Sequence, residues 1–333
     1  MQLSIIILNW NSKDYLRACL RSVYAQTRDV EFEVVVIDGA SYDGCGAMLA
    51  REFPQVRFIQ SDQNVGFAKA NNVAVSQSVG ETLLFLNPDT EVQGNSIEQL
   101  HATVRSIPDA GAVGARLLNS DGTLQISCIQ AFPTLTNQLL ACDIAYRWLP
   151  RCRWWGKQAL YAPCNVPAEV AGISGACLMT PRRVFDLVGG FSEYFFMYYE
   201  DVEYCLKVQR IGWKTVYVPT ASVVHHGERS VASVGNDFLH IAMMKSAYRY
   251  FRVHWGPFTA QAYRALMSLN AVLRLLLLLP MCLLLGSHKR ATNVRASVER
   301  WWAVMRWCLG LNVAADYDYP GHEDRAKHAR LIS

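Results

Sequence analysis

The sequence predicts an α/β fold in which a mostly parallel β-sheet carries helices on both faces and a helical extension follows. Over residues 1 to about 115, short apolar runs alternate with segments whose apolar residues recur every three or four positions. The runs are continuous in Val, Ile and Leu, as in parallel strands that are buried on both faces. From residue 236 onward the pattern is helical and strongly apolar. We therefore predict an α/β domain over residues 1–235 and a helical extension over residues 236–333.

Strands and helices alternate through the first half of the domain, residues 1–115. In open parallel sheets, ligands bind beyond the carboxyl ends of the strands. Asn9, Asp38 and Asn87–Asp89 follow three of the apolar runs and are therefore expected at such ends. The predicted strands are residues 3–8, 33–37, 56–60 and 82–86, and the predicted helices are residues 14–26, 46–52, 66–78 and 97–107.

The second half, residues 116–235, has a less regular pattern. Residues 128–168 contain Pro, Trp and Arg without periodicity, so we expect a mobile loop there. Gly172 and Gly175 fall inside a predicted strand at 170–180, and a glycine within a strand often marks the close approach of a ligand or another backbone. The other predicted elements are helices at 184–188 and 200–211 and strands at 215–218 and 222–226.

The extension contains a strongly apolar run at 266–285, which is long enough to span a bilayer. Arg274 near its middle would cost about 2.5–3.5 kcal/mol on insertion. Trp301, Trp302 and Trp307 follow among arginines, a mixture typical of a helix that lies in the membrane interface. We predict attachment to a membrane, with the segment lying on the bilayer in preference to crossing it. A buried helical hairpin is the alternative.

The composition narrows the class of protein. The chain is 51% hydrophobic with a net charge of +4, which argues against broad nucleic-acid binding. Its ten cysteines include no CxxC pair, so we expect free thiols in a reducing cytosol and no zinc site. The apolar run at residues 3–8 predicts a buried strand at the start of the sequence, and we therefore expect no signal peptide.

Carboxylates at two strand ends and at one helix start suggest a nucleotide-and-metal site. Glu200 and Asp201 start a predicted helix directly after a run of aromatic residues, where a carboxylate pKa can be tuned for base chemistry. Asp38 and Asp89 each follow a buried strand. Each feature alone has an ordinary explanation, as an acidic first helical turn, a helix cap or a plain turn.

Seven short motifs occur in one order along residues 1–235. They are LSIIILNWN at 3–11, VIDGASYDG at 36–44, NVGFAKANN at 64–72, LNPD at 86–89, GGF at 189–191, YED at 199–201 and HHG at 225–227. Together they resemble glycosyltransferase family 2 with the GT-A (Rossmann-like) fold, and are most similar to the rhamnosyltransferase-like branch that builds bacterial cell-surface polysaccharides. The resemblance makes residues 1–115 the nucleotide-binding half and residues 116–235 the acceptor half, with the expected loop at 128–168 on the acceptor side.

A divalent metal is expected because the diphosphate leaving group gains negative charge as the glycosidic bond breaks. Asp89, held after Pro88, would bind this metal. The family usually has Asp-x-Asp here, whereas Asn87 occupies the first position in this chain. The resemblance implies that His225 completes the site, with His226 as the alternative ligand. An imidazole ligand suits Mn²⁺ at least as well as Mg²⁺.

The resemblance also assigns the nucleotide-binding residues. Asp38 would accept a hydrogen bond from the pyrimidine N3–H, which selects uracil or thymine. The family usually has Asn after this Asp, whereas Gly39 stands here. The remaining residues implied for nucleotide binding are Asn9 and Asn11 near the base, Asn64, Gly66 and Asn71 at the ribose and diphosphate, and Asn87.

Asp201 resembles the general base of the family. An inverting transfer needs one carboxylate to take the proton of the acceptor hydroxyl while that oxygen attacks the anomeric carbon from the opposite face. Glu200 would orient the site or bind the acceptor. The segment 209–213 only faintly resembles the signature of processive synthases, so we expect one sugar to be added per encounter.

The sequence therefore predicts an inverting, metal-dependent glycosyltransferase that uses a dTDP- or UDP-sugar, with L-rhamnose as the leading sugar. The expected acceptor is a lipid-linked saccharide, and the expected location is the cytoplasmic face of the plasma membrane. An NAD(P)-dependent oxidoreductase is the first alternative, although Asn9-Trp-Asn-Ser12 stands where GxGxxG should be. A non-catalytic protein that binds sugar nucleotides is the second, although Asp38, Asp89 and Asp201 are all retained.

Overall fold

A computed structural model describes residues 1–140, 143–163, 165–227, 236–285 and 289–311. The chain divides into two compact units. The first comprises Met1–Phe132 and Cys142–Ser230, and the second comprises Pro133–Ala141 and Val231–Ser333. The division of the first unit into a nucleotide half and an acceptor half stays a prediction.

The first unit is built on a nine-stranded sheet in the order β3-β2-β1-β4-β10-β6-β11-β5, with β8 paired to β11. Strands β3, β2, β1 and β4 are parallel, as are β6 and β11, whereas β10 runs antiparallel between β4 and β6. Strands β7 and β9 form a separate two-stranded sheet. The strands are β1 Leu3–Asn9, β2 Phe32–Asp38, β3 Arg57–Gln60, β4 Thr82–Leu86, β5 Thr90–Gln93, β6 Ala110–Leu118, β7 Ile129–Gln130, β8 Ala168–Glu169, β9 Gly172–Ile173, β10 Cys177–Pro181 and β11 Lys214–His225.

Helices connect these strands and form most of the second unit. In the first unit, α1, α2 and α3 each lead from one parallel strand to the next, which is the connection that parallel strands require. The helices are α1 Lys13–Gln26, α2 Cys45–Glu52, α3 Phe67–Ser76, α4 Ser96–Ser106, α5 Leu135–Leu139, α6 Asp143–Trp148, α7 Arg182–Leu187, α8 Glu200–Arg210, α9 Asn236–Leu285 and α10 Lys289–Cys308.

The central strands are covered on both faces, as the sequence predicts. Ile5, Ile6 and Ile7 in β1 are all fully buried, although successive side chains of a strand point to opposite faces. Each such side chain contributes about 1.5–3 kcal/mol of hydrophobic stabilisation. In the register of β1 and β2, Asn9 lies opposite Asp38 at the carboxyl ends of both strands. The sheet therefore brings these two polar residues to one edge.

The structure corrects three expectations about the second half. The single strand predicted at 170–180 is two strands, β9 and β10, which belong to different sheets. The two strands predicted at 215–218 and 222–226 are one strand, β11, whose register with β6 shifts between Val218 and Ser222. The loop expected at 128–168 contains β7, α5 and α6. Strands β5 and β6 were not predicted at all.

The second unit contains a helical hairpin in which α10 packs against α9. Gly256, at φ 86° and ψ 170°, interrupts α9. Arg264 donates to the backbone oxygens of Trp307 (3.0 Å) and Cys308 (2.7 Å) at the end of α10. The guanidinium of Arg274 lies 4.6 Å from the ring centre of Trp301. The exposed charge in the apolar run therefore has an aromatic ring beside it.

One described helix, Leu239–Cys282, is long and apolar enough to cross a membrane, and only 17% of its most apolar window is buried. Several leucines along it are exposed, including Leu273 (52%), Leu276 (63%) and Leu277 (69%). The hairpin that the sequence offered as an alternative is thus present within the second unit, but part of its apolar surface is exposed.

Candidate active site

Glu200 and Asp201 form the first turn of α8, at the end of the aromatic segment. The two residues before them, Tyr198 and Tyr199, have φ values of 64° and 72°, a region that side chains with a Cβ rarely adopt. Such backbone strain persists only where the surrounding structure enforces it. The strained turn sets the direction in which the two carboxylates leave the helix.

Asp201 is held by three hydrogen bonds. Its Oδ2 accepts from the side-chain amide of Gln130 and from the N–H of Gly175, both at 2.8 Å, and its Oδ1 accepts from the N–H of Val202 at 2.8 Å. Burial raises the pKa of Asp201, while the hydrogen bonds from Gly175, Val202 and Gln130 lower it; burial outweighs them. The result is a fixed carboxylate that binds a proton more readily than an exposed aspartate.

Glu200 lies beside Asp201 but has a different environment. Its side chain belongs to a residue that is only 6% exposed, and its Oε2 has no hydrogen-bond partner among the described residues. Burial, followed by the charge of Asp201, raises its pKa well above the usual range. Glu200 therefore holds a proton more readily than an exposed glutamate does, and it lies next to a carboxylate that can accept one.

Asp89 and His225 lie together at the end of strand β11. The Oδ1 of Asp89 is 3.4 Å from the Nε2 of His225, and the Nδ2 of Asn87 is 3.3 Å from the same nitrogen. The Nδ1 of His225 is 2.7 Å from the Oε1 of Gln125. Because an amide oxygen only accepts, this contact places a proton on Nδ1, and Nε2 is the ring nitrogen that faces Asp89.

His226 has other partners. Its Nδ1 is 2.8 Å from the hydroxyl of Ser120, and its Nε2 is 2.8 Å from the Oε1 of Glu91. Of the two histidines that the sequence offered as a metal ligand, His225 is therefore the one that faces Asp89.

A short segment links the acidic groups of the site. The N–H of Asn87 donates to the carbonyl of Ala176 at 3.0 Å, and the N–H of the preceding Gly175 donates to Asp201. A Cβ on Gly175 would lie 3.3 Å from the Cβ of Asp201, so a side chain there would press on this carboxylate. Of the two glycines noted in the sequence, Gly172 begins β9, whereas Gly175 lies between β9 and β10 and brings its backbone against Asp201.

Asp38 is fully buried and accepts several hydrogen bonds. Donors to it are the amides of Asn9 and Gln60, both at 2.8 Å, and the N–H (3.0 Å) and hydroxyl of Ser41. Burial acts to raise the pKa of Asp38, but the hydrogen bonds from Ser41, Gln60 and Asn9 lower it below the usual range. Asp38 is therefore ionised at neutral pH.

A second set of potential metal ligands surrounds Asp38. Ligand atoms of Asp38, Asp43 and Cys45 lie within 4.8 Å of one another. Burial, followed by the charge of Asp38, raises the pKa of the Cys45 thiol, which therefore keeps its proton. A metal binds the thiolate rather than the thiol, so Asp89 and His225 are the better donor set.

The other residues implied for nucleotide binding differ in their contacts and exposure. The side chain of Asn64 accepts from the N–H of Gly66 (3.1 Å). Asn71 is 1% exposed and donates to the carbonyl of Phe67 (2.8 Å), within its own helix. Asn9 is fully buried beside Asp38, whereas Asn11 is exposed at φ 51°.

Gly66 is needed for packing. Its φ is 83°, and a Cβ there would lie 2.4 Å from the carbonyl oxygen of Phe196. That carbonyl accepts from the N–H of Phe67 at 2.6 Å. Gly66 therefore packs against the aromatic segment before Asp201.

Three glutamines of the site were not predicted. Gln130 contacts Asp201, Gln125 contacts His225 and Gln60 contacts Asp38. Gln125 and Gln130 belong to the irregular stretch after β6, and Gln60 is the last residue of a short strand. No spacing in the sequence marks them, because each meets a residue that is 22 or more positions away.

Comparisons with known proteins agree on one family. The model of the family described as Glycosyl transferase family 2 matches residues 4–187. An N-acetylglucosaminyl-diphospho-decaprenol L-rhamnosyltransferase of Mycobacterium tuberculosis is 30% identical over 241 residues, which cover 68% of this chain and 77% of the relative.

Two solved structures show the same fold at low identity. A mannosyltransferase of Pyrobaculum calidifontis, solved with GDP-Man and Mn²⁺, gives a TM-score of 0.53 at 18% identity and covers 94% of this chain and 87% of that one. GalNAc-T7, solved with UDP, GalNAc and Mn²⁺, gives a TM-score of 0.56 at 17% identity and covers 76% of this chain and 49% of that one. This chain thus spans about half the length of the GalNAc-T7 chain.

Proposed function

The chain belongs to glycosyltransferase family 2, and on that premise we propose that it transfers L-rhamnose from a dTDP- or UDP-sugar to a lipid-linked saccharide with inversion. The family membership makes the chain a glycosyltransferase and removes the oxidoreductase alternative. The donor sugar, the acceptor, the stereochemistry and the role of each residue are our proposals.

The observation that carries the proposal is the link between Asp201 and Asn87–Asp89 through Gly175 and Ala176. A proton-accepting carboxylate and a buried carboxylate–imidazole pair are fixed to the same short segment of backbone. Glycosyl transfer needs both functions close together, because the acceptor is deprotonated while the leaving diphosphate gains charge. A protein that only bound sugar nucleotides would have no use for the base.

Asp201 is proposed as the general base. The acceptor hydroxyl oxygen attacks the anomeric carbon of the donor, its proton passes to Asp201, and the bond to the diphosphate breaks with its electron pair on the diphosphate. The raised pKa of Asp201 brings its proton affinity closer to neutral pH and so favours the proton transfer. Glu200, which is suited to stay protonated, would orient the acceptor by donating a hydrogen bond.

Asp89 and His225 are proposed to hold a divalent metal. The residues fit such an ion, because a buried carboxylate and the Nε2 of an imidazole already face each other. A carboxylate and an imidazole suit Mn²⁺ at least as well as Mg²⁺. Both structural neighbours named above were solved with Mn²⁺. When bound, the metal would stabilise the negative charge of the diphosphate. Gln125 keeps the imidazole in the tautomer that can bind it.

Asp38 is proposed to bind the base of the nucleotide. Since it is ionised and lies at the carboxyl end of β2, it can accept the N3–H of uracil or thymine. The network around Asp38 would have to release one donor for this bond to form. Asn9, Asn11, Asn64, Gly66, Asn71 and Asn87 remain proposed as residues around the nucleotide.

The proposed acceptor and location follow from the relative and from the second unit. The mycobacterial relative is, by its name, an L-rhamnosyltransferase acting on N-acetylglucosaminyl-diphospho-decaprenol. The exposed leucines of α9 provide apolar surface that suits a bilayer. We propose that the enzyme works on the cytoplasmic face of the plasma membrane, where nucleotide sugars are supplied.

The proposal is tested by a transfer assay with a panel of donors. Full-length protein is incubated with N-acetylglucosaminyl-diphospho-polyprenol and either dTDP-L-rhamnose or a set of UDP-sugars, with Mn²⁺, with Mg²⁺ or with EDTA. We expect transfer from dTDP-L-rhamnose that EDTA abolishes, and an inverted anomeric configuration in the product. Transfer that persists in EDTA would contradict the proposed metal requirement. Retention of the anomeric configuration in the product would contradict the proposed inverting mechanism with a single general base.

Variants separate the two proposed sites. Asp89→Ala should weaken Mn²⁺ binding measured directly by titration, whereas Asp38→Ala should weaken nucleotide binding by about 1.5–3 kcal/mol and leave Mn²⁺ binding unchanged. If Asp89→Ala binds Mn²⁺ as the natural chain does, the metal site lies elsewhere, and Asp43→Ala then tests the set around Asp38.

A further inference from the structure

An exposed group of tryptophans and arginines lies in the first unit, at the end of α6 and in the residues that follow it. We call it the 147–154 surface. Trp148 is 81% exposed and Trp154 is 72% exposed. Tryptophan is highly buried on average, so two such side chains left exposed in one short segment need an explanation. The members of the 147–154 surface are Arg147, Trp148, Leu149, Arg151, Arg153 and Trp154, and all six are exposed.

The segment is ordered by a buried anchor. Trp155 is only 6% exposed, and its ring meets that of Tyr146 edge to face at 5.0 Å. The ammonium of Lys157 lies 4.4 Å from the ring centre of Tyr146 on this anchor. Backbone bonds from Leu149 to Ala145 and from Trp155 to Cys152 close its turns. One tryptophan thus fixes the segment while its neighbours are directed outward.

The charge of the segment has one sign. Between Asp143 and Glu169 the sequence has four basic residues and no Asp or Glu. Three of the four are the exposed arginines of the 147–154 surface. A surface that combines exposed tryptophans with cations matches the boundary of a membrane, where indole rings sit at the headgroups and cations meet anionic lipid.

The position of the segment connects it to the candidate base. A Cβ on Gly156 would lie 3.0 Å from the Cβ of Ala131, so the two backbones pack closely. Ala131 follows Gln130, whose amide donates to Asp201. The 147–154 surface and Asp201 are therefore joined through neighbouring residues of the same unit.

We propose that the 147–154 surface is a second membrane-contact site, which places the first unit directly on an anionic lipid surface. This contact is independent of the apolar hairpin in the second unit, and lipid binding by it does not depend on the transfer reaction. Its consequence for the proposed function is that Asp201 is presented close to the headgroups, where the sugar of a lipid-linked acceptor lies.

The test measures vesicle binding by the full chain and by a charge variant. Vesicles are made of phosphatidylcholine alone or of an equimolar mixture with phosphatidylglycerol. In the triple variant Arg147→Gln, Arg151→Gln, Arg153→Gln, binding to the mixed vesicles should fall about fivefold for each arginine, or on the order of a hundredfold in total. Binding to phosphatidylcholine should change little. The hairpin is present in both the natural chain and the triple variant, so its contribution cancels when their vesicle affinities are compared.

A matched control and a local measurement complete the design. The control carries Arg28→Gln, Arg57→Gln and Arg105→Gln, three exposed arginines elsewhere in the first unit, and should lose far less binding. Hydrogen exchange on the natural chain should show protection of residues 147–155 when mixed vesicles are added. Equal loss in the two triple variants, or unchanged exchange at residues 147–155, would overturn the proposal and leave this face to a protein partner.

The tryptophans are tested separately. The double variant Trp148→Ser, Trp154→Ser should bind both kinds of vesicle more weakly, because it loses apolar contact rather than charge. Its unfolding temperature without vesicles should match that of the natural chain, since both side chains are exposed. Unchanged binding to both kinds of vesicle would contradict a membrane role for these rings.

Discussion

At the scale of single residues, the carboxylates of the site have pKa values that are shifted in different directions by their surroundings. Asp38 accepts several hydrogen bonds, which lower its pKa despite complete burial. Burial dominates at Asp201 and Glu200, and their pKa values are raised. Asp38 is therefore an ionised carboxylate that is suited to accept a hydrogen bond from a nucleobase. Glu200 and Asp201 are an acidic pair that is suited to exchange a proton.

Gln130→Leu should move the pH dependence of transfer. The amide of Gln130 stabilises ionised Asp201, so its removal raises the pKa of Asp201 further. A hydrogen bond to a charged group contributes about 1.5–3 kcal/mol, which corresponds to about 1–2 pH units. The acidic limb of the kcat/KM profile should therefore shift upward by that amount. If the rate falls but the acidic limb of the kcat/KM profile does not shift, Gln130 has only a structural role and does not tune the pKa of Asp201.

At the scale of elements, the start of α3 depends on the aromatic segment that precedes Asp201. Gly66 adopts φ 83° and ψ 172°, a region almost restricted to glycine. It also lies against the carbonyl of Phe196, which accepts from Phe67. The NVGFAKANN motif around residue 66 and the YED motif are therefore parts of one packed structure, although they are far apart in the sequence.

Gly66→Ala should destabilise the protein more than a matched glycine change does. Strain at such a φ costs about 1–3 kcal/mol, and the contact with Phe196 adds about 1–3 kcal/mol of overpacking. Gly122→Ala is the control, because Gly122 has φ 79° but nothing lies within 4 Å of its Cβ position. Urea unfolding of both variants gives the difference. Equal losses of stability would show that the packing against Phe196 contributes nothing.

Some strands could be predicted from local sequence patterns, and others could not. The Val and Ile runs of β1 and β2 predict buried strands because their side chains alone require burial. Strand β6 has small residues instead: a Cβ on Gly111 would meet Val208 at 2.5 Å, and one on Gly114 would meet Ile173 at 2.8 Å. Its structure is decided by neighbours that are distant in the sequence, and no local pattern reveals them.

The same limit applies to the site. Asp38, Asp89 and Asp201 could be singled out because carboxylates follow strands or begin a helix in recognisable motifs. Gln125 and Gln130 could not, since their partners are 100 and 71 positions away. The break between β9 and β10 was missed for a related reason, because the N–H of Gly175 is used by Asp201 rather than by a strand neighbour.

At the scale of the whole molecule, a catalytic unit is combined with a helical unit whose apolar surface is exposed. Leu273, Leu276 and Leu277 of α9 are each more than half exposed. In water such a surface is unfavourable at about 25 cal/mol per Å², and a bilayer would remove that cost. The two basic tryptophan-containing segments, one in each unit, are consistent with a protein that works at a lipid surface.

The full chain should be found in the membrane fraction, and three substitutions should release part of it. Leu273→Gln, Leu276→Gln and Leu277→Gln each remove apolar contact worth at least about tenfold in membrane partition. Leu187→Gln, a change at a 65% exposed leucine of the first unit, is the control and should have no effect. Natural protein that stays wholly soluble at low salt would contradict membrane attachment and leave a helical hairpin in water.

The most direct test of the account is the effect of Asp201→Asn on turnover and on donor binding, measured together. The amide keeps the shape of the side chain but cannot take the acceptor proton, and the loss of a general base costs about 10²–10⁴ in rate. We expect turnover at saturating donor to fall by that factor, while the dissociation constant of the nucleotide sugar, measured by calorimetry, stays nearly unchanged. Turnover close to that of the natural chain would contradict the account, because Asp201 would then have no part in the proton transfer.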